Sequence, residues 1–128
     1  MPLVKDVMTR TVKTIAPGSS LREAAGLMRD LDIGGLPVEQ DGRIAGIVTD
    51  RDIVIRGLAE GRDPIETEVR DVMTVEVISI GQEQDLGEAT ELMGSKKVRR
   101  LLVEDQQGRP AGILSQGDMA LSENAGKI

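Results

Sequence analysis

The chain has 128 residues, 39% of them hydrophobic, and a formal net charge of −6 at pH 7. It contains no Cys and no His, which excludes disulfides, thiolate nucleophiles and imidazole-based acid–base or metal chemistry; its acidic balance opposes nonspecific nucleic-acid binding, which needs a field of Lys and Arg. With no Phe, Tyr or Trp, the core must be built from Val, Ile, Leu, Met and Ala, and no ligand ring can stack on an aromatic side chain.

No apolar run approaches the ~20 residues of a membrane span, and the opening Met1-Pro2-Leu3-Val4-Lys5-Asp6 has no signal-peptide core. A soluble cytoplasmic protein is therefore expected. In chain order, Val12–Ile15 is predicted as a short strand, broken by Pro17-Gly18. Ser20 then starts a helix, with Glu23 placed to complete a capping box. Leu21, Ala24, Ala25, Leu27, Met28 and Leu31 fall on one face of it, and Gly34-Gly35 is predicted to end it. Leu36–Glu39 and Ile44–Thr49 read as two strands of a hairpin turned at Asp41-Gly42. Asp50–Leu58 reads as a second helix, and Gly57–Glu68 as a polar connector.

The chain then repeats itself. Val4-Lys5-Asp6-Val7-Met8-Thr9 returns as Val69-Arg70-Asp71-Val72-Met73-Thr74, and Val4–Met28 matches Val69–Met93 at 12 of 25 positions. Chance would supply only about one or two, since each common residue makes up less than about a tenth of an average protein. Gly42–Thr49 returns as Gly108–Ser115, after one residue inserted near Asp105-Gln106-Gln107-Gly108. The predicted fold class is therefore α/β (α+β), two βαββα repeats related by a pseudo-twofold, over residues 1–62 and 63–128. Neither half is long enough to cover its own sheet and helices, so a shared core, packed through the sheets, is expected. Met8, Met28, Met73 and Met93 occupy matched apolar positions and read as core filler.

This pattern resembles the CBS domain family, whose tandem pair is a Bateman module. The resemblance runs from Val4 to about Leu121. It rests on the Val-x-Asp-Val-Met-Thr opening, the Leu-x-Glu-Ala helix, Leu36-Pro37-Val38, and Gly46-Ile47-Val48-Thr49-Asp50-Arg51-Asp52-Ile53. Leu102 stands where the family often has Pro, leaving open the shape of that strand. The family's nucleotide motif, Gly, two apolar residues, Ser or Thr, two variable residues, then Asp, is matched by Gly46…Thr49…Asp52 and Gly112…Ser115…Asp118.

The resemblance implies two adenosyl sites between the repeats, each drawing on both. The first would use Gly34, Gly35, Ile47, Thr49, Arg51 and Asp52 with Thr74, Val75 and Val98. The second would use Arg99, Arg100, Ile113, Ser115 and Asp118 with Thr9, Arg10 and Ile33. The aspartates would accept from ribose hydroxyls, and Arg99 and Arg100 suit phosphates. Thr-x-x-Asp and Ser-x-x-Asp are equally helix-capping signatures, and the basic residues near Lys96 equally complement a helix end.

The resemblance thus implies a regulatory sensor for AMP, ADP, ATP or S-adenosylmethionine, with no required cofactor and no metal. It also implies a homodimer forming a disk of four repeats, with an enzyme or transporter as the regulated partner. A ligand-free dimerisation scaffold is the alternative. A Mg²⁺-dependent phosphohydrolase using Asp50, Asp52 or Asp118 ranks last, because no catalytic constellation completes those acids.

Overall fold

In the Ser20 helix, the hydroxyl accepts from the Glu23 N–H at 3.0 Å, the N-cap half of the predicted capping box, while the Glu23 carboxylate accepts from the Ser20 hydroxyl at 3.4 Å in place of the backbone N–H. The structure is a computed structural model describing residues 2–10 and 13–125. Val12, at the head of the predicted strand Val12–Ile15, lies outside the described residues.

A short helix α1 (Val4–Val7) leads into strand β1 (Thr9–Arg10); helix α2 (Leu21–Leu31) and the hairpin β2 (Gly35–Gln40) and β3 (Arg43–Thr49) follow. The next helical stretch begins as one α-turn, α3 (Asp50–Asp52), continues as a π-turn over Ile53–Gly57 and ends as a 3₁₀ turn over Leu58–Glu60. After a 3₁₀ turn at Val69–Asp71 come β4 (Ser79–Gly81), α4 (Leu86–Lys96), β5 (Arg100–Glu104), β6 (Pro110–Ser115) and α5 (Gln116–Ala125). No described helix is long and apolar enough to cross a membrane.

Helix α2 ends three residues before the predicted glycine stop. Asp32 takes the left-handed position after Leu31 (φ 54°), and Lys97 does the same after α4 (φ 56°). A short Asp side chain tolerates that conformation, so Gly35 is free to open β2. The Asp41-Gly42 turn has positive φ at both residues, as a two-residue hairpin with the strands' own twist requires.

The chain divides into two compact units, and the division does not follow the sequence halves 1–62 and 63–128. One unit is Lys13–Val77; the other joins Met1–Val12 to Ile78–Ile128. Each repeat's opening segment is thus a strap belonging to the unit formed mostly by the other repeat. Each unit has its own cluster of buried residues. In the Lys13–Val77 unit, Leu21, Ala24, Met28, Leu36, Val38, Val48 and Ile53 pack with Val69 and Val72 from the strap. In the other, Val4 joins Ile80, Ala89, Met93, Leu101, Val103 and Leu114, with Val7 and Met8 packed against them. Of the predicted α2 face, Leu21, Ala24 and Met28 are buried, Leu27 is half-buried, and Ala25 and Leu31 are exposed.

Pro37 and Leu102 explain a difference between the repeats. The Leu102 N–H donates to the Ile78 carbonyl at 2.9 Å within a parallel ladder pairing β4 with β5. Pro37 has no N–H to give. At the matching place, among the described residues of the predicted strand, Ile15 forms an isolated bridge with Val38. The Leu102 departure makes the repeat-two strand more regular.

Candidate functional site

The repeated Val-x-Asp-Val-Met-Thr becomes intelligible once the straps are placed. Val4 and Val69 are fully buried anchors. Asp6 Oδ2 accepts from the Leu3 N–H at 3.0 Å, and Asp71 Oδ2 from the Glu68 N–H at 3.2 Å, so each aspartate caps its own short turn. The strap then runs against the strand that carries the glycine–hydroxyl–aspartate motif. Thr74 and Ile47 exchange both backbone hydrogen bonds at 2.9 Å. In the other unit β1 pairs antiparallel with β6, Thr9 opposite Ile113 and Arg10 opposite Gly112.

This contact is why the motif opens on glycine. A Cβ on Gly46 would lie 2.7 Å from the Thr74 carbonyl oxygen and 2.9 Å from Met73 Sδ; on Gly112 it would lie 2.5 Å from the Thr9 carbonyl oxygen and 2.9 Å from Met8 Sδ. Backbone cannot yield as a side chain can, so only glycine admits the strap. Met8 and Met73 are thus more specific than filler: each presses its sulfur on the glycine of the motif.

Three residues on, the motif forms reciprocal caps. The Asp52 N–H donates to Thr49 Oγ1 at 3.0 Å while Asp52 Oδ2 accepts from the Thr49 N–H at 2.9 Å. Ser115 and Asp118 repeat this arrangement at 3.0 Å in both directions. The capping role is therefore filled, but it uses Oδ2 and leaves Oδ1 of Asp52 with no protein donor among the described residues. Thr49 and Asp52 are 6% and 9% exposed. Ser115 and Asp118 are half-buried.

The other expected site residues distribute as follows. Gly35 pairs with Thr49 across the hairpin, and the Gly34 carbonyl accepts from the Asp50 N–H at 3.0 Å. Gly35, Ile47, Thr49, Asp52 and Thr74 are thereby brought together in one unit. Arg51 and Val75 flank them as exposed residues, Val75 at 70% exposure. Ile33 belongs to this unit and packs against its core, whereas Val98 packs against the core of the other unit. In that other unit Arg100 pairs with Ser115 and the Arg99 carbonyl accepts from the Gln116 N–H at 3.0 Å. Arg99, Arg100, Ile113, Ser115, Asp118, Thr9 and Arg10 are thus assembled there, with the Arg99 and Arg10 side chains exposed. Open grooves beside α2 (about 570 Å³) and α4 (about 420 Å³) contain none of these residues.

One residue escaped the sequence reading. Arg56, in the π-turn, donates from Nη1 to the Val72 and Met73 carbonyls at 3.2 and 3.4 Å, fastening the strap just before Thr74. Ser122 holds the matching place in repeat two, so the repeat comparison singles out Arg56 without saying what it holds.

The family model described as the CBS domain matches residues 4–58 and 69–122. The CBS domain-containing protein YhcV of Bacillus subtilis is 40% identical over 123 residues, covering 96% of this chain and 86% of YhcV. A crystal structure of CBSX2 in complex with AMP superposes with a TM-score of 0.71 at 27% identity, covering 100% of both chains. The hexameric CBS-CP12 protein from bloom-forming cyanobacteria superposes with a TM-score of 0.85 at 27% identity, covering 99% of this chain and 74% of that one. Two family matches, strap-and-motif pairing in both units, and similarity along nearly the whole length of YhcV lead to one assignment: the chain belongs to the CBS domain family as a tandem pair of CBS repeats.

Proposed function

We propose that the chain is a regulatory sensor, not an enzyme, that binds an adenosyl ligand (AMP, ADP, ATP or S-adenosylmethionine) through the ribose-accepting carboxylates Asp52 and Asp118. The observation that carries this reading is Asp52. The residue is nine-tenths buried, its cap occupies Oδ2, and no protein donor among the described residues reaches Oδ1. Among the described residues no buried side-chain oxygen lacks a partner, so Oδ1 is open to a donor from outside, and a ribose hydroxyl is a donor of the right kind. Thr49 supports the same reading. Its oxygen accepts from the Asp52 N–H, which leaves its proton for a ligand oxygen.

Ile47 and Ile113 offer aliphatic faces to adenine, and the strap residues Thr74, Val75, Thr9 and Arg10 border them. Arg51 and the Arg99-Arg100 pair are the phosphate partners. The AMP held by CBSX2, a neighbour over its whole length, supports the ligand class. Against catalysis stand the absence of His and Cys and the commitment of Asp52 and Asp118 to helix caps. In this reading the protein is cytoplasmic and passes its occupancy to an enzyme or transporter.

The second reading, a dimerisation scaffold, is favoured by Val54, Ile55 and Leu58, which are 51, 49 and 52% exposed on one helical stretch. Such an apolar strip marks an association surface, and we propose a homodimer through it. Assembly and sensing are compatible, and calorimetry separates them. Titration with AMP, ADP, ATP and S-adenosylmethionine should give saturable binding to at least one. Binding of none leaves the scaffold alone. Because the chain has no aromatic residue, adenine carried through purification is also visible by its own ultraviolet band.

A further inference from the structure

Asp52 and Asp118 stand at matching motif positions and make matching caps, yet their remaining donors differ. The Thr9 hydroxyl lies 3.5 Å from both Oδ1 and Oδ2 of Asp118. Thr74, which matches Thr9 in the repeat, makes no such bond to Asp52 among the described residues. One carboxylate is left for an external donor, and the other already has an internal one.

We infer that Thr9 occupies the Asp118 carboxylate as a stand-in for a ligand hydroxyl, so that the Asp118 site is gated and binds a ribosyl ligand more weakly than the Asp52 site. This rests on the reading of both aspartates as ribose acceptors. The Ser115 N–H takes one lone pair of Asp118 Oδ2. The Thr9 hydroxyl stands at the same distance from both oxygens, so it competes with a ribose hydroxyl for either. At 3.5 Å the contact is long for a hydroxyl bond. It is therefore a weak hold that a ligand displaces, not a permanent block.

Displacement has a defined route. The Thr9 backbone is fixed by pairing with Ile113, so the hydroxyl leaves by rotation about χ1. That torsion is restricted in a β-branched side chain. Filling the Asp118 site therefore turns a strap side chain, a step the Asp52 site does not need.

The test is calorimetry with AMP on the full chain. The parent should show a tighter and a weaker class of site, and Asp52→Asn should remove the tighter one. Thr9→Val keeps the side chain's shape and removes the hydroxyl. It should strengthen the weaker class by roughly threefold to tenfold, the worth of one hydroxyl–carboxylate bond weakened by its 3.5 Å length. Thr9→Ala, which cannot crowd the strap, should show a gain in the same direction, and far-UV circular dichroism melts establish that each variant is folded. A single class of equal sites in the parent overturns the gate. So does a folded Thr9 variant whose weaker class is unchanged or weakened, and in both cases the adenosyl reading survives. If AMP binds nowhere, or binds with Asp52→Asn and Asp118→Asn both without effect, the underlying reading fails and the gate falls with it.

Discussion

Replacing Gly46 with Ala forces a collision whose parts can be counted. The new Cβ would stand 2.7 Å from the Thr74 carbonyl oxygen, closer than ordinary carbon–oxygen contact. Met73 Sδ, at 2.9 Å, belongs to a flexible side chain and can move aside. The carbonyl cannot move alone. Thr74 is tied to Ile47 by two backbone bonds at 2.9 Å, and Arg56 holds the Val72 and Met73 carbonyls just before it. If the strap retreats, those two backbone bonds stretch, at about 0.5–1.5 kcal/mol each. If it stays, the crowding costs about 1–3 kcal/mol. Both routes span the same range, so the expected loss is about 1–3 kcal/mol. Urea unfolding followed by far-UV circular dichroism measures it, since a chain without Trp or Tyr has no useful intrinsic fluorescence. Gly94→Ala is the control. It lies exposed within α4 with nothing within 4 Å of its would-be Cβ, and should stabilise by roughly 0.5–1 kcal/mol through helix propensity. A Gly46→Ala variant within about 0.5 kcal/mol of the parent, the range of an ordinary surface change, would refute the strap argument.

Asp52→Asn should weaken adenosyl binding by roughly tenfold to over a hundredfold, the loss of a charge-assisted contact of about 1.5–3 kcal/mol, with the unliganded melt moved by no more than a lost cap, about 1 kcal/mol; calorimetry and melting together check both halves. A fragment spanning 13–77 keeps the whole Ile15–Val72 cluster and should melt cooperatively. Residues 1–64 lack Val69 and Val72, each worth about 1.5–3 kcal/mol when buried, and should not; the reverse result would sink the strap exchange. Light scattering with refractive-index detection should give a mass near twice 13.7 kDa, and Leu58→Glu should lower it to that of one chain; a parent that is already monomeric rejects the proposed interface.

Local chemistry made most elements legible. Ser20 with Glu23 and the Asp41-Gly42 turn are decided by side-chain and backbone preferences within a few residues, and both stand where the sequence places them. Duplication then carried the reading of one repeat onto the other. What local reasoning lacked was the destination of the strap. Nothing near Val69 states that it closes a core with Leu21 and Val48, because that contact depends on which segments are exchanged. The stop of α2 at Asp32 was also missed: Gly34-Gly35 was the stronger propensity signal, but an aspartate in the left-handed region served equally. For the site, the motif placed Thr49, Asp52, Ser115 and Asp118 in their caps, yet it gave no reason for its own glycine. That reason is a carbonyl supplied by a segment 28 residues away in one unit, Thr74, and by Thr9, from the far end of the chain, in the other.

The motif therefore serves two purposes along one short stretch of strand. Its glycine admits the strap, and its hydroxyl and carboxylate, three and six residues on, form the caps proposed to hold the ligand. The strap's threonine is the last residue of a segment whose valines close the unit's core. Any ligand that contacts that threonine, or takes the carboxylate Thr9 now covers, binds the docked strap in preference to the undocked one. Such a ligand stabilises the unit by mass action, about 2.7 kcal/mol at a hundredfold excess over its dissociation constant. That is comparable to the burial of one strap valine. In the proposed function the link between occupancy and the strap needs no separate hinge, because the strap that closes the core also supplies residues to the proposed site.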